Sequence, residues 1–340
     1  MRNIYGLTIE DLEGYFLSIG EKKFKAVQLF TWLYEKRIKS FDEITDMKKT
    51  VIERLKEDFR LDKLNLAKVE RDIEVNKYLF DLEDGSCVES VLMRHDYGTS
   101  ICISSQVGCN MGCKFCESGR LKKVRDLSSY EMVLQILMVE EDIKTRISHV
   151  VIMGIGEPFD NYKNVTDFIK IINHPKGLSI GSRHITVSTS GLVPKILEFA
   201  DFPYQVNLAI SLHAPNNEIR NKIMPINKAY PIEKVIDALK IYYKKTNRRI
   251  TFEYIMLQGI NDTVDCANEL VRLLRGLNCY VNLIPYNETN NIEYKRSKKD
   301  SIMKFYDIIK KNNMNVTIRR EFGTNISAAC GQLRSKREDL

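Results

Sequence analysis

The chain has 340 residues, 44% of them hydrophobic and 29% charged, with a formal net charge of +7. That length allows one large domain plus a smaller one with a sizeable core, and the composition excludes a collagen-like or wholly disordered chain. The longest apolar stretches, His149 to Gly156 and Asn207 to Pro215, fall short of the roughly 20 residues that cross a bilayer, and Glu10, Asp11 and Glu13 stand where a signal peptide would be apolar, so the expectation is a soluble cytoplasmic protein without a membrane or targeting segment.

The first sixty residues read as short amphipathic helices. Thr8 can cap a helix from Ile9 to Ile19 with Asp11 three residues on, and Gly20 ends it. Phe24 to Ile38 and Phe41 to Phe59 are further helical candidates. Lys22, Lys23, Lys25, Lys36, Arg37 and Lys39 make this region basic. Two readings stand side by side: a solvated helical face, or a small appendage that docks RNA.

From Leu66 to Ser104 the pattern turns to strands, with Lys77–Leu82 and Cys87–Met93 flanking the turn signal Asp84-Gly85. Beyond Cys116 strands and helices alternate. Strands are expected at Ser148–Met153, His184–Ser188, Val206–Leu212, Arg249–Met256, Tyr280–Pro285 and Val316–Arg319. Helices are expected after the capping box Ser128/Glu131 and near Val165–Ile172, Val193–Phe199, Ile232–Thr246, Val264–Leu274 and Ser301–Asn312. About six such units predict an α/β fold with parallel strands in an open or partial barrel, whose chemistry gathers at the C-terminal strand ends.

Eight cysteines in a chain of cytoplasmic character need an explanation other than disulfides. Cys109, Cys113 and Cys116 form C-x₃-C-x₂-C in a loop after the Ile101–Ser105 strand, with Gly108 and Gly112 able to bend the backbone closely. Three thiolates on a [4Fe–4S] cluster leave one iron open to a substrate or cofactor. Zinc would need a fourth ligand from far along the chain, since neither His95 nor His149 has a suitable spacing.

The C-x₃-C-x₂-C spacing with Phe115 before the last cysteine resembles the radical S-adenosylmethionine (SAM) signature. Further landmarks end strands: Met153-Gly154-Ile155-Gly156-Glu157-Pro158, Ser188-Thr189-Ser190-Gly191, Ser211-Leu212-His213-Ala214-Pro215, and Asn287 after Asn282–Tyr286. Taken singly, each is a turn, a cap or a structural residue. Together with Val88–Val91, Cys102–Cys109, Met224–Asn227 and Ala328-Ala329-Cys330-Gly331-Gln332-Leu333, they resemble the RlmN/Cfr family of radical SAM rRNA methyltransferases over essentially the whole chain. Two departures stand out: Glu117-Ser118-Gly119 where a small residue and Thr-Gly or Thr-Ala are usual, and Asn325-Ile326-Ser327 where Asp-Ile-Asp is usual.

The resemblance implies a helical RNA-docking domain over residues 1–62, a β-hairpin extension over 63–98, and a partial (β/α)₆ barrel with a C-terminal catalytic-cysteine loop over 99–340. It implies a [4Fe–4S] cluster on Cys109, Cys113 and Cys116, and SAM, two molecules per turnover, held by Gly156, Glu157, Ser188, Ser211, Leu212, His213 and Asn287. Glu157 would accept from the SAM ammonium. Cys330 would take a methyl group as a thiolate, Cys102 would resolve a protein–RNA thioether by forming a disulfide with Cys330, and Glu89 would accept a proton. Cys87, Cys266 and Cys279 match nothing and read as structural. The implied substrate is an adenosine of the peptidyl-transferase centre of 23S rRNA, met before full ribosome assembly, and also the adenosine beside the anticodon of some tRNAs. A flavodoxin or ferredoxin would supply electrons to a monomeric enzyme. Methylation at C2 or at C8 uses the same residues. The N-terminal Leu7–Leu12, Ala26–Phe30 and Trp32–Tyr34 segments look more like the housekeeping C2 type than the Cfr-type C8 resistance enzymes.

Overall fold

The computed structural model describes residues 1–289, 293–320 and 331–333. Ten strands form one open sheet whose spatial order repeats the chain order. They are β1 (Asn65–Arg71), β2 (Val75–Asp81), β3 (Cys87–His95), β4 (Gly98–Cys102), β5 (His149–Ile152), β6 (Ile185–Thr189), β7 (Asn207–Ser211), β8 (Ile250–Met256), β9 (Cys279–Pro285) and β10 (Asn315–Ile318). The first four pair antiparallel, and β4 to β10 pair parallel.

Six helical crossovers link the parallel strands, through Ser129–Ile143, Tyr162–Asn173, Val193–Phe199, Ile232–Thr246, Val264–Leu274 and Lys299–Lys311. Each buries one apolar stripe, as Val235, Ile236, Leu239 and Tyr242 do in Ile232–Thr246. The strands are rich in β-branched residues, and their outer faces meet those stripes in one continuous core. The expected α/β barrel units are therefore present, and the Asp84-Gly85 hairpin joins β2 to β3 in register Asp81↔Cys87. β3 is pinned to β4 from Val91↔Cys102 to His95↔Gly98, so the hairpin strands extend the barrel sheet.

The N-terminal helices differ from expectation in detail. Thr8 and Asp11 do form a capping box at Ile9–Ser18. Phe24–Phe30 runs into a wider π turn at Thr31–Glu35 instead of one long helix. The Phe41–Phe59 candidate divides into a short 3₁₀ turn, Phe41–Glu43, capped by Ser40, and a helix, Lys49–Asp58. These elements share the main core, and Ser129 Oγ donates to the Gly6 carbonyl at 2.8 Å. The basic residues here are not one free face. Lys25 is buried against Glu21, Lys23 pairs with Glu13, and Arg37 pairs with Glu140 of the first crossover helix. No described helix is long and apolar enough to cross a membrane.

Candidate active site

One cavity opens at the C-terminal ends of β4 to β10. Its walls bring together Cys102, Cys109, Cys113, Cys116, Gly156, Glu157, Ser188, Ser211, His213 and Asn287. These positions span most of the chain, and the parallel strand ends alone assemble them. Leu212 is different: its side chain lies in the main apolar core, and only its backbone serves the site, the carbonyl accepting from Arg220 Nε at 3.1 Å. Cys330 lies outside the described residues.

The cysteine loop is held by its own backbone. Gly108 has φ +74°, and a Cβ there would sit 2.1 Å from the Lys122 carbonyl oxygen, so only glycine lets the two arms of the loop cross. Cys109 N–H donates to Leu121 O, Gly119 N–H to Cys116 O, and Lys114 N–H to Ile223 O. Phe115 packs edge-on against His213, 4.8 Å between ring centres, and so ties the loop to the end of β7. Burial pushes the Cys109 thiol up to about 12 and the Cys113 thiol well above its ordinary value. Without iron these thiols hold their protons, and iron binding must displace them. The residues fit a cluster: in a [4Fe–4S] group each thiolate would bond a separate iron, so the three side chains need not converge on one point. Among the described residues no three His, Cys, Asp or Glu side chains converge as ligands of a single metal ion would.

The loop after β5 forms the wall opposite. Gly156 has φ +111°, and a Cβ would meet the Gln106 side chain at 2.6 Å. Gln106 Oε1 accepts from Glu157 N–H at 2.9 Å, and its amide donates to Asp126 and Asp160. Glu157 is 3% exposed. Its carboxylate accepts from Phe159 N–H at 3.0 Å and Ser190 N–H at 2.7 Å. Desolvation still raises its pKa, those donors only partly offsetting it. A buried carboxylate on a cavity wall is a receptor for a cation, since an ammonium group would restore the lost stabilisation. Asn287 Oδ1 is buried and makes no hydrogen bond among the described residues, which leaves an acceptor for a ligand N–H or O–H.

His213 is neutral. Burial and the nearby Arg220 hold its pKa down at about 3. Its Nδ1 accepts from Ile255 N–H at 3.0 Å, which places the proton on Nε2. Its backbone is left-handed, φ +58°. Arg220, fully buried, was not foreseen. It donates to the carbonyls of Ser190, Ser211 and Leu212 and to Asn227 Oδ1, clamping the loops after β6 and β7. The only sequence signal for it was the neighbouring Met224–Asn227 segment, whose Asn227 is one of its acceptors. Glu253 was also missed. It stands on β8 facing the cavity, accepts from Asn282 Nδ2 at 2.8 Å, and has its pKa raised by burial despite Arg319 nearby.

Cys102 is half-buried and packs with Val75, Val91, Met93, Ile155 and Leu333. Leu333 follows Cys330 by three residues. Its carbonyl accepts from Ser118 Oγ at 2.9 Å, and Gly331 O accepts from Glu117 N–H at 2.9 Å. The unusual Glu117-Ser118-Gly119 segment thus holds the chain beyond Cys330, and Ser118 supplies the hydroxyl that a threonine would. Glu89 is buried on β3 and does not line the cavity among the described residues. It points to the same sheet face as Val91 and Met93, with Lys77 Nζ 3.5 Å from its carboxylate.

Comparison with known proteins identifies the family. Residues 103–274 match the family model of the radical SAM superfamily, and residues 2–61 match the ribosomal RNA large subunit methyltransferase N-terminal domain. A protein named "Probable dual-specificity RNA methyltransferase RlmN" from Enterococcus faecalis is 56% identical, covering 98% of this chain and 96% of that one. One of the same name from Acholeplasma laidlawii is 52% identical over 98% and 99%. The crystal structure of a radical SAM methyltransferase from Sphaerobacter thermophilus superposes with a TM-score of 0.92 at 39% identity, covering 99% of this chain and all of that one. The chain belongs to the radical SAM superfamily and, within it, to the RlmN family of RNA methyltransferases.

Proposed function

We propose that this enzyme methylates C2 of an adenosine in the peptidyl-transferase centre of 23S rRNA, and the adenosine beside the anticodon of some tRNAs. The relatives' names, which state dual specificity, and the N-terminal segments support C2 over C8. Cys109, Cys113 and Cys116 would hold a [4Fe–4S] cluster, which when bound supplies the electron for reductive cleavage of SAM. Glu157 would take the SAM ammonium, and Asn287 Oδ1, Ser188, Ser211, His213 and the backbone at Gly156 and Leu212 would orient the rest of the molecule. In this reading 1–62 docks RNA, 63–98 carries Glu89, and 99–340 does the chemistry, in the cytoplasm, as a monomer fed by a flavodoxin or ferredoxin.

The adenine carbon is a poor nucleophile, so the chain lends its own. Cys330 accepts the methyl group of one SAM on sulfur, giving a thioether and S-adenosylhomocysteine. After a second SAM has served to remove a hydrogen atom from that methyl, its carbon bonds to the adenine ring. The radical adduct must give up one electron, which the cluster, when bound, would take back, and Glu89 takes the proton from the substituted carbon, with Lys77 beside it to steady the carboxylate. The Cys102 thiolate attacks the Cys330 sulfur. The carbon–sulfur bond breaks as the disulfide forms, its electron pair stays on the methylene carbon, which takes up a proton to complete the methyl group, and the methylated base leaves.

The observation that carries this reading is the position of Cys102. It lies on the cavity wall in the apolar cluster that also receives Leu333, while Gly331, next to Cys330, lines the same cavity. The test is anaerobic turnover with an unmodified 23S rRNA fragment, followed by mass spectrometry of the digested RNA against 2- and 8-methyladenosine. 2-Methyladenosine is expected, and 8-methyladenosine would replace the C2 assignment. Cys330→Ala should block methyl loading while leaving SAM cleavage. Cys102→Ala should trap a covalent enzyme–RNA adduct, and normal turnover by that variant would remove its resolving role.

A further inference from the structure

The cysteine loop has two sides. Cys113 and Gly119 line the reaction cavity, and both also line a second, open depression on the outer surface, with Lys114, Arg120, Glu293 and Tyr294. The wall between the two is therefore a single layer of chain at Cys113. Glycine keeps it thin. A Cβ at residue 119 would sit 2.4 Å from the Cys113 carbonyl oxygen and 2.9 Å from its nitrogen, so Gly119 packs directly on the Cys113 backbone. Any group that Cys113 ligates would lie one loop's thickness beneath this surface.

The charge around the depression is positive. Lys114 and Arg120 are exposed on its lining. Lys228, also exposed, adds a third cation. It stands three residues from Pro225 in the 3₁₀ turn Pro225–Lys228, on the same side of that turn, and the Pro225 ring is what a Cβ at Gly112 would meet, at 3.5 Å. Among the described residues neither Lys114 nor Lys228 forms an ion pair. The carboxylates nearby are Glu293 on the lining, Glu218, which pairs with Lys222, and Glu288, which pairs with Lys295. Glu293 alone does not cancel Lys114, Arg120 and Lys228. Tyr294 gives the depression a partly apolar wall, packed on the same cluster as Phe115 and Cys113. RNA is one polyanion that such a patch could attract. An RNA seated here would lie on the far side of the cysteine loop from Cys102, away from the residues that handle the base. An electron bound for the cluster must come from outside, and tunnelling weakens steeply with distance, so thin cover is where a carrier delivers it. A small contact ringed by cations suits a brief encounter with an acidic protein, in which charge sets the encounter rate.

We propose that the depression over Cys113, with Lys114, Arg120 and Lys228 around it, is the docking surface for an acidic one-electron carrier protein. This rests on the cluster reading proposed above and adds the place where the electron enters. One electron leaves the reduced carrier, which is oxidised by one, and reduces the cluster by one. No atom crosses the interface. The carrier and the RNA then occupy opposite sides of the cysteine loop, and neither has to leave for the other to bind.

The test compares Lys114→Glu, Lys228→Glu and the double variant in the reconstituted full-length enzyme. Lys244→Glu, in the last turn of Ile232–Thr246 and so at the opposite end of the strands, controls for net charge. Formation of 5′-deoxyadenosine from SAM is driven either by photoreduced flavodoxin or by dithionite. At low salt the double variant should lower kcat/KM for flavodoxin by about 10-fold or more, each single variant less, and the control by less than about twofold. Dithionite needs no docking surface, so with it every variant should stay within about twofold of wild type, with full iron content. Binding of oxidised flavodoxin, measured by calorimetry, should weaken in parallel, and the differences should shrink at high salt. A double variant with wild-type flavodoxin kinetics overturns the surface. A dithionite rate that falls in parallel overturns it too, since the lysines would then serve the loop and not a partner. A raised KM for the rRNA fragment in dithionite-driven methylation, with flavodoxin kinetics unchanged, assigns the patch to RNA instead. If dithionite drives the wild type and neither flavodoxin nor ferredoxin does, the surface falls and the proposed function stands. If the wild type makes no 5′-deoxyadenosine even with dithionite, the proposed function has failed and the surface falls with it.

Discussion

The two walls of the cavity that carry cysteines are built in opposite ways. The wall of Cys109, Cys113 and Cys116 is a short loop fixed by backbone: crossing arms at Gly108, hydrogen bonds onto Leu121, Cys116 and Ile223, and Phe115 wedged on His213. The wall of Cys102 is a regular strand end, and what surrounds it is a small apolar cluster drawn from β2, β3, the loop after β5 and Leu333. In the function proposed, the first wall would present three sulfurs to a rigid inorganic group, a task that suits a local scaffold. The second would, in the function proposed, let the Cys102 thiol meet Cys330 from a distant part of the chain. Its apolar cluster receives the Leu333 side chain, while the Leu333 and Gly331 carbonyls accept from Ser118 Oγ and Glu117 N–H.

That contrast fails if the two walls respond alike to damage. Cys113→Ala should have the largest effect, reducing both bound iron and 5′-deoxyadenosine formation to background, as read by iron analysis and chromatography. Cys102→Ala should leave both near wild type. Gly108→Ala comes next. It places a Cβ within 2.1 Å of a carbonyl oxygen on a left-handed residue. The expected cost is about 3 kcal/mol or more of stability, together with loss of iron, measured by urea unfolding and metal content. A Gly108→Ala protein with full iron and an unchanged midpoint would show that the loop is not held as described.

The same contrast explains what the sequence could and could not reveal. Helix limits such as Val193–Phe199, Ile232–Thr246 and Val264–Leu274 match the apolar periodicity residue for residue, because each is an amphipathic segment with local start and stop signals. The cysteine loop was legible for a similar reason: its chemistry is packed into eight residues. Glu253 was not, because a carboxylate in the middle of an apolar strand carries no local sign of which face it takes. Arg220 was not, because its partners are carbonyls of loops that only the fold brings near. Lys25 was misread as part of a basic face because its burial against Glu21 depends on how the helix packs. The π turn after Phe30 has no distinct composition and passed as ordinary helix.

His213 offers a finer test, since it ties the cysteine loop to β8 through Phe115 and Ile255. Its pKa is about 3 in the folded chain against an ordinary 6.5. The unfolded chain therefore takes up a proton below pH 6.5 that the folded chain refuses, and stability falls as the pH drops from there toward about 3. The slope from this single proton is at most about 1.4 kcal/mol per pH unit. His213→Asn keeps an acceptor for Ile255 N–H and tolerates the left-handed backbone. The difference in unfolding free energy between variant and wild type should therefore grow in the variant's favour as the pH falls below 6.5. A difference independent of pH would mean that the ring takes up its proton in the folded protein as readily as in the unfolded chain.

The smallest effect belongs to the contact that spans the greatest distance along the chain. Arg320 Nη2 lies 2.6 Å from Glu74 Oε1, joining the turn between β1 and β2 to the second residue after β10. It brings together the two ends of a ten-stranded sheet. Both side chains are largely in water, 61% and 44% exposed, so salt and solvent screen the attraction, and its worth is about 0–1 kcal/mol. A double-mutant cycle with Glu74→Gln and Arg320→Gln, followed by urea unfolding, should return a coupling within that range and smaller still at 1 M salt. A coupling of several kcal/mol would mean that sheet closure, and not the cysteine loop, is the rigid part of the molecule.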